Sequence, residues 1–193
     1  TVVDGWLRTG DAGYLEDDGQ LVVLGRIAEV VHTAGGTRYV PNYIENRLKF
    51  SPWIRDAAVV GAGREALMAM VCIDFEAVGH WAEVNGVPYA SYADLSQRPE
   101  VAELLTEAFR RVNSVLPEPL RIRRFVSLPK EFDPDDGEIT RTRKLRRKVV
   151  EDRYREVIEA LFAGAPEIRV RAGVIYETGE TGSVERSLAI REV

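Results

Sequence analysis

The run Leu67-Met68-Ala69-Met70-Val71-Cys72-Ile73, carried on to Phe75, is almost free of polar residues. An apolar run of this length reads as a strand. Ile54–Gly61, rich in Val and Ala, reads as a second strand just before it. Pro41 to Phe50 reads as a helix. Pro41 takes the first position, Val40 or Asn42 lies near the cap, and Tyr43, Ile44, Arg47 and Leu48 set the spacing. A helix followed by two strands predicts an α+β fold, a small mixed sheet packed with helices. The chain has a single cysteine, Cys72. That excludes an internal disulfide framework and fits a reducing compartment. Its place inside the apolar run makes it a core residue rather than a nucleophile.

Helical spacing recurs over Glu76–Asn85 and Glu100–Leu116, the second carrying Val101, Leu104, Leu105, Ala108 and Val112 and ended by Pro117 and Pro119. Ile122–Leu128 reads as another strand and Glu131–Gly137 as an acidic loop. Thr142 is expected to cap a long helix running through Phe162, with Leu145, Val149, Tyr154, Val157, Ile158 and Leu161 on one face. After Gly164 and Pro166, Ile168–Tyr176 and Ser183–Val193 alternate apolar and polar around Thr178-Gly179-Glu180-Thr181-Gly182. That predicts a C-terminal β-hairpin, over about 168–193, that adds an edge or a cover to the sheet. A formal charge of −5 argues against a general nucleic-acid binder, and the 45% hydrophobic content suffices for a real core. No apolar run approaches the ~20 residues of a membrane span. No metal-ligand spacing occurs, and His32 and His80 read as surface or packing residues.

The first 26 residues carry the clearest chemistry. A strand, the turn Asp17-Asp18-Gly19 and the strand Gln20–Leu24 form a hairpin signal, followed at once by Gly25-Arg26. Glu29–Thr33 reads as a further short strand. Asp11 and Arg26 thus flank a short strand pair. A carboxylate there accepts hydrogen bonds from vicinal ribose hydroxyls, and a guanidinium offers fixed donors to oxygen-rich groups. Thr9-Gly10-Asp11 is also an ordinary turn sequence, and Arg26 is equally placed for an ion pair with Asp11 or Glu29. Tyr14 reads as packing for the hairpin. Gly25 imposes the least restriction on rotation between two bodies. The chain starts inside this unit without a Met, so the expectation is the tail of a longer protein.

Several motifs occur in order. They are Asp4-Gly-Trp-Leu-Arg-Thr-Gly-Asp-Ala-Gly-Tyr14 with Asp18-Gly-Gln-Leu-Val-Val-Leu-Gly-Arg26, then His32-Thr-Ala-Gly-Gly-Thr-Arg-Tyr-Val-Pro-Asn-Tyr-Ile-Glu45, then Gly137-Glu-Ile-Thr-Arg-Thr-Arg-Lys-Leu-Arg-Arg147. Together they resemble the ribose-binding and hinge segments, the opening of the mobile C-terminal domain and the late lysine motif of AMP-forming acyl-CoA synthetases, in the form long-chain enzymes use. The resemblance covers roughly residues 4–162. It implies a remnant of the large adenylation domain over 1–25 and a mobile domain over 26–193, with a helical insertion at about 76–120. That insertion, with Trp81, points to long-chain substrates.

What the resemblance implies for the site follows residue by residue. Lys144 is the catalytic lysine, Asp11 and Arg26 bind nucleotide, and Gly25-Arg26 is the hinge. Gly35 and Gly36 line the approach of CoA, although Gly-Gly is also a plain turn signal. Lys144 lies in a run with Arg141, Arg143, Arg146, Arg147 and Lys148. Such a run alone reads as a solvated helix face. Beside Lys144 its arginines divide between salt bridges to the acidic loop and contacts to CoA phosphates. The reaction implied joins a fatty acid to CoA with ATP, and Mg²⁺ is expected to be held outside this chain. A cytoplasmic location is implied, with peripheral membrane contact and a homodimer left open. Gly25, Ala28 and Glu29 depart from the family, which commonly has Asp or Lys at the first and Lys-Asp at the other two. Two other readings stand beside this one: an adenylation domain that loads a carrier protein, and a non-catalytic module whose Arg-rich segment binds anionic partners.

Overall fold

The computed structural model describes residues 2–175 and 181–193, with side chains left aside at 171–175 and 181–184. Its centre is β8 (Leu67–Ile73), in which every residue is buried. Successive side chains of a strand point to opposite faces. Leu67, Ala69, Val71 and Ile73 therefore enter one core, while Met68, Met70 and Cys72 enter another. β7 (Ile54–Val60) runs antiparallel to β8, and β9 (Ile122–Ser127) runs parallel to it. A parallel neighbour requires a crossover. Here it is supplied by α2 (Phe75–Val84), α3 (Tyr92–Leu95) and α4 (Pro99–Val115). The Asp74 carboxylate caps α2 by accepting from Ala77 N at 3.0 Å.

The first core is closed by α1 (Pro41–Lys49), through Ile44 and Leu48, and by α4, through Val101, Leu105, Ala108, Phe109 and Val112. Phe109 stacks on Phe125 of β9 with ring centroids 4.4 Å apart. The second core is closed by α5 (Arg147–Arg153) and α6 (Arg155–Ala163), with Phe132 and Ile139 from the segment before them. β10 (Glu167–Ile175) and β11 (Thr181–Glu192) form the terminal hairpin. β11 pairs antiparallel with β9 through Ile190 and Val126. The hairpin is thus an added edge, giving a five-stranded sheet in the order β10-β11-β9-β8-β7. Residues 178–180 of its expected turn lie outside the described residues. The expected α+β fold with a mixed sheet is what the structure shows. No helix among the described residues is long and apolar enough to cross a membrane.

Three local expectations change. The long helix from Thr142 does not form. Residues 139–145 make a hairpin turn instead, with Ile139 bridged to Leu145 and Thr140 N donating to Lys144 O at 2.8 Å. Arg143 takes φ 59° inside that turn, which no right-handed helix allows. The helical part then divides at Tyr154 into α5 and α6, and Val150 rather than Val149 faces the core. At the N-terminus, β1 (Val2–Val3) and β2 (Trp6–Leu7) form their own small hairpin around Asp4-Gly5. An Asp-Gly between apolar pairs is a signal for this turn. β3 (Asp11–Leu15) and β4 (Leu21–Arg26) form the next hairpin. In place of a strand from Glu29, Ile27–Glu29 is a single tight helical turn, and β5 (Val31–His32) pairs with β6 (Arg38–Tyr39).

Phe109→Ala removes a fully buried ring from between α4 and β9, and should destabilise the chain by ~3–5 kcal/mol. Urea unfolding of the variant against the parent checks the value.

Candidate functional site

The register of the β3–β4 pair sets Asp11 opposite Arg26. The two side chains meet as an ion pair at 3.0 Å, and Arg26 also donates to Thr9 O at 3.1 Å. Arg26 therefore takes the Asp11 partner weighed beside nucleotide contact. Both groups stay open to solvent, at 63% and 39% exposure. Gly25 has φ 150°, a region side chains rarely adopt, and an added Cβ would stand 3.0 Å from Val40 Cγ1. The backbone thus passes Val40 closely at this glycine. Tyr14 lies beside Tyr43 of α1 and stays 47% exposed.

Lys144 sits in the 139–145 turn with its side chain 69% exposed. Its Nζ reaches Glu29 Oε1 at 3.1 Å, three residues beyond Arg26. Glu29 was expected as a departure in the hinge. The structure makes it the partner of the lysine.

The turn that carries Lys144 is held by Arg143 within it and Arg147 just beyond it. Arg143 donates to the buried Asp56 and lies 3.6 Å from Glu131. Arg147 donates to Glu45 at 2.6 Å and to Val59 O at 2.8 Å. Glu45 is only 3% exposed and also accepts from Val59 N at 2.8 Å. Burial pushes the Glu45 carboxyl above its ordinary value, with Arg147 and the Val59 N–H pulling the other way. Arg143 and Arg147 are therefore bonded within the protein, whereas Arg141, Arg146 and Lys148 are exposed. The run is not a helix face. Glu138, missed at the sequence level, is fully buried beneath the same turn. Nothing in the pattern of the acidic loop singles it out from Asp133, Asp135 or Asp136.

Gly35 and Gly36 lie in the turn between β5 and β6. Gly36 N donates to Thr33 O at 3.0 Å, and Thr37 N donates to Thr33 Oγ1 at 3.1 Å. Gly36 has φ 81° with open space at its Cβ position, so it is conformation rather than crowding that asks for glycine there. The turn is tied to the 61–64 loop through Ala34 N to Arg64 O and Gly63 N to His32 O, both 2.8 Å. The structure thus gathers Asp11, Gly25, Arg26 and Lys144 along the Arg26–Glu29 turn. Among the described residues no hydrogen bond or ion pair joins the glycine turn to them. His32 and His80 are exposed. Cys72 is fully buried and burial pushes its thiol far up, so it stays protonated in the core. Among the described residues no cluster of His, Cys, Asp and Glu is arranged to hold a metal.

The result is a small α+β unit with a five-stranded mixed sheet, preceded by separate strand pairs, that carries the exposed Lys144 on a clamped turn. Residues 28–166 match the family described as AMP-binding enzyme C-terminal domain, and the chain belongs to that family. It is 37% identical over 160 residues to the long-chain-fatty-acid–CoA ligase FadD15 of Mycobacterium tuberculosis, covering 82% of this chain and 27% of that protein. It is 30% identical over 177 residues to the long-chain-fatty-acid–CoA ligase ACSBG1 of Bos taurus, covering 82% of this chain and 24% of that one. The chain thus spans about a quarter of the length of these curated relatives. In structure it resembles the adenylation domain of the carboxylate reductase of Mycobacterium chelonae, with TM-score 0.61 and 26% identity over 83% of this chain and 23% of that one.

Arg147→Met leaves Glu45 buried without its cation and should cost ~3–5 kcal/mol, partly recovered by adding Glu45→Leu. Recovery remains incomplete because Val59 N then lacks an acceptor. Denaturant midpoints of the single and double variants measure both effects.

Proposed function

We propose that this chain is the C-terminal part of an ATP-dependent long-chain fatty acid–CoA ligase. On this reading residues 26–193 form the mobile domain and residues 1–25 belong to the large domain before it. The observation that carries the reading is the presentation of Lys144: 69% exposed on a turn held by Arg143 and Arg147. A tethered cation at the end of a rigid mount suits a reaction that must be reached and then left.

The chemistry explains why such a cation is needed. A carboxylate oxygen attacks the α-phosphorus of ATP and pyrophosphate departs, so negative charge approaches negative charge. Positioned positive charge lowers that barrier most where water is excluded. Lys144 would exchange Glu29 for the carboxylate and α-phosphate oxygens. Asp11 would exchange Arg26 for the ribose hydroxyls, leaving the guanidinium free to meet nucleotide oxygens. Rotation at Gly25-Arg26 would then withdraw Lys144 and bring the Gly35-Gly36 turn to CoA, a hinge motion serving two half-reactions. Mg²⁺ would supply further charge on the phosphates. Its ligands are expected outside this chain.

The likeness to a carboxylate reductase adenylation domain favours a second reading, in which the thiol belongs to a carrier protein rather than to free CoA. The 37% identity to a protein named a long-chain-fatty-acid–CoA ligase favours the first. Acyl-CoA formation from palmitate, ATP and free CoA by the intact protein separates them.

In that protein Lys144→Ala should slow acyl-adenylate formation at least roughly a hundredfold, ~3 kcal/mol of transition-state stabilisation, while thioesterification of preformed adenylate is largely kept. Equal activity of variant and parent in both steps would remove the catalytic assignment.

A further inference from the structure

Glu138 is completely buried, yet it is a carboxylate. Donors from separate parts of the chain converge on it. Oε2 accepts from Asp133 N at 2.9 Å and from Lys130 Nζ at 3.1 Å. Oε1 accepts from Arg153 Nη1 of α5 and from the hydroxyl of Tyr154, both at 3.0 Å. Neutralising Lys130 and Arg153 does not require a buried acid. Asp136 already pairs with both of them from the surface. Burying a carboxylate is costly unless it is fully hydrogen-bonded, so what Glu138 adds is position. It ties the end of the acidic loop to the junction of α5 and α6.

Its backbone carries that position onward. Glu138 N donates to Asp133 O at 3.0 Å, and Glu138 O accepts from Arg146 N at 2.8 Å. The next residue, Ile139, is 2% exposed and bridges Leu145. The next rung is Thr140 N to Lys144 O, returned by Lys144 N to Thr140 Oγ1 at 3.0 Å. From Glu138 to Lys144 there is thus an unbroken ladder of short bonds, fixed at its base by a carboxylate that no water reaches.

We propose that Glu138 is the positioning residue of Lys144: it sets the base of the 139–145 turn and so the point in space to which the ammonium is delivered. This rests on the reading of Lys144 as the lysine of adenylate formation. Glu138 touches no substrate and acts through the turn alone.

The test uses the intact protein and both half-reactions. Glu138→Gln keeps the shape but turns an NH₂ toward the converging donors. It should lower the kcat of adenylate formation roughly tenfold to a hundredfold, the scale of an ångström of misplacement. KM for ATP and palmitate, and the thioesterification of preformed adenylate, should change little. Adding Glu138→Gln to Lys144→Ala should produce no further loss, because the first acts through the second. The proposal is overturned if the two losses multiply, or if both half-reactions fall together with the unfolding midpoint. Loss in Lys144→Ala with full adenylation in Glu138→Gln overturns it alone. Full adenylation in Lys144→Ala removes the underlying reading and this one with it. Tyr154→Phe removes only the hydroxyl that donates to Glu138 and covers the case of a Glu138→Gln variant that does not fold. It should show the same selective loss in weaker form, and an unchanged rate or an equal loss in both steps overturns the proposal.

Discussion

β8 has no face toward water, and this constraint organises the rest of the chain. All its side chains, from Leu67 to Ile73, are buried, alternately in two cores. At ~25 cal/mol per Å² of apolar surface, leaving either face open would forfeit several kcal/mol. One face is closed by α1 and α4. The other needs α5 and α6, and Phe132 and Ile139 as well. The segment between β9 and α5 is thereby drawn down onto the sheet rather than looping freely over it. Lys144 lies inside this segment. The place where the lysine is shown to solvent thus follows from how the far side of a seven-residue strand is covered.

The charges obey a second logic. Asp56, Glu45 and Glu138 are buried at 5%, 3% and 0% exposure, and each is met by an arginine from the stretch between Arg143 and Arg153. Buried ion pairs add little net stability, but leaving one partner alone is severe. A competing path for the 139–153 segment would strand several acids at once. The pairs therefore specify one path even where they add little to stability. The arginine run is for this reason unlike a solvated helix face: Arg143 and Arg147 are consumed in holding the backbone, while Arg141, Arg146 and Lys148 remain exposed.

Much of the fold was legible because it rests on periodicity. β7, β8, α1, α2, α4 and β9 follow from apolar spacing and from Pro41, Pro117 and Pro119, and the structure moves their ends by only a residue or two. The terminal hairpin was legible from alternation, and pairing with β9 decides that it is an edge. The segment from Thr140 to Arg147 was not legible. Its residues suit a helix locally, and the competing arrangement is fixed by Asp56, Glu45 and Glu138, which lie far apart in sequence or amid other acids. For the site, motif wording brought out Asp11, Arg26, Gly35, Gly36 and Lys144, but no pattern reveals that Glu29 faces Lys144. That contact exists only once a short turn at Ile27–Glu29 and a hairpin more than a hundred residues later are brought side by side.

The ion pairs fall into two kinds, and the division matches the proposed motion. Those of Arg143 and Arg147 involve a nearly buried carboxylate and resist exchange. Arg26–Asp11 and Lys144–Glu29 are both exposed, and pairs of this kind are worth only ~0.2–1 kcal/mol. A ligand oxygen or hydroxyl can replace either partner with little loss, whereas it cannot displace Glu45 or Asp56 without stranding a charge. The chain therefore fixes the shape of the turn with interactions that do not let go and holds its outward groups with interactions that do. Were the strengths reversed, Lys144 would be locked to Glu29 on a turn with no defined path, and rotation at Gly25 would carry a charge to no defined place. On the proposed reading, a group that serves one half-reaction and must be absent from the next requires both a rigid mount and a labile hold on its outward side chain.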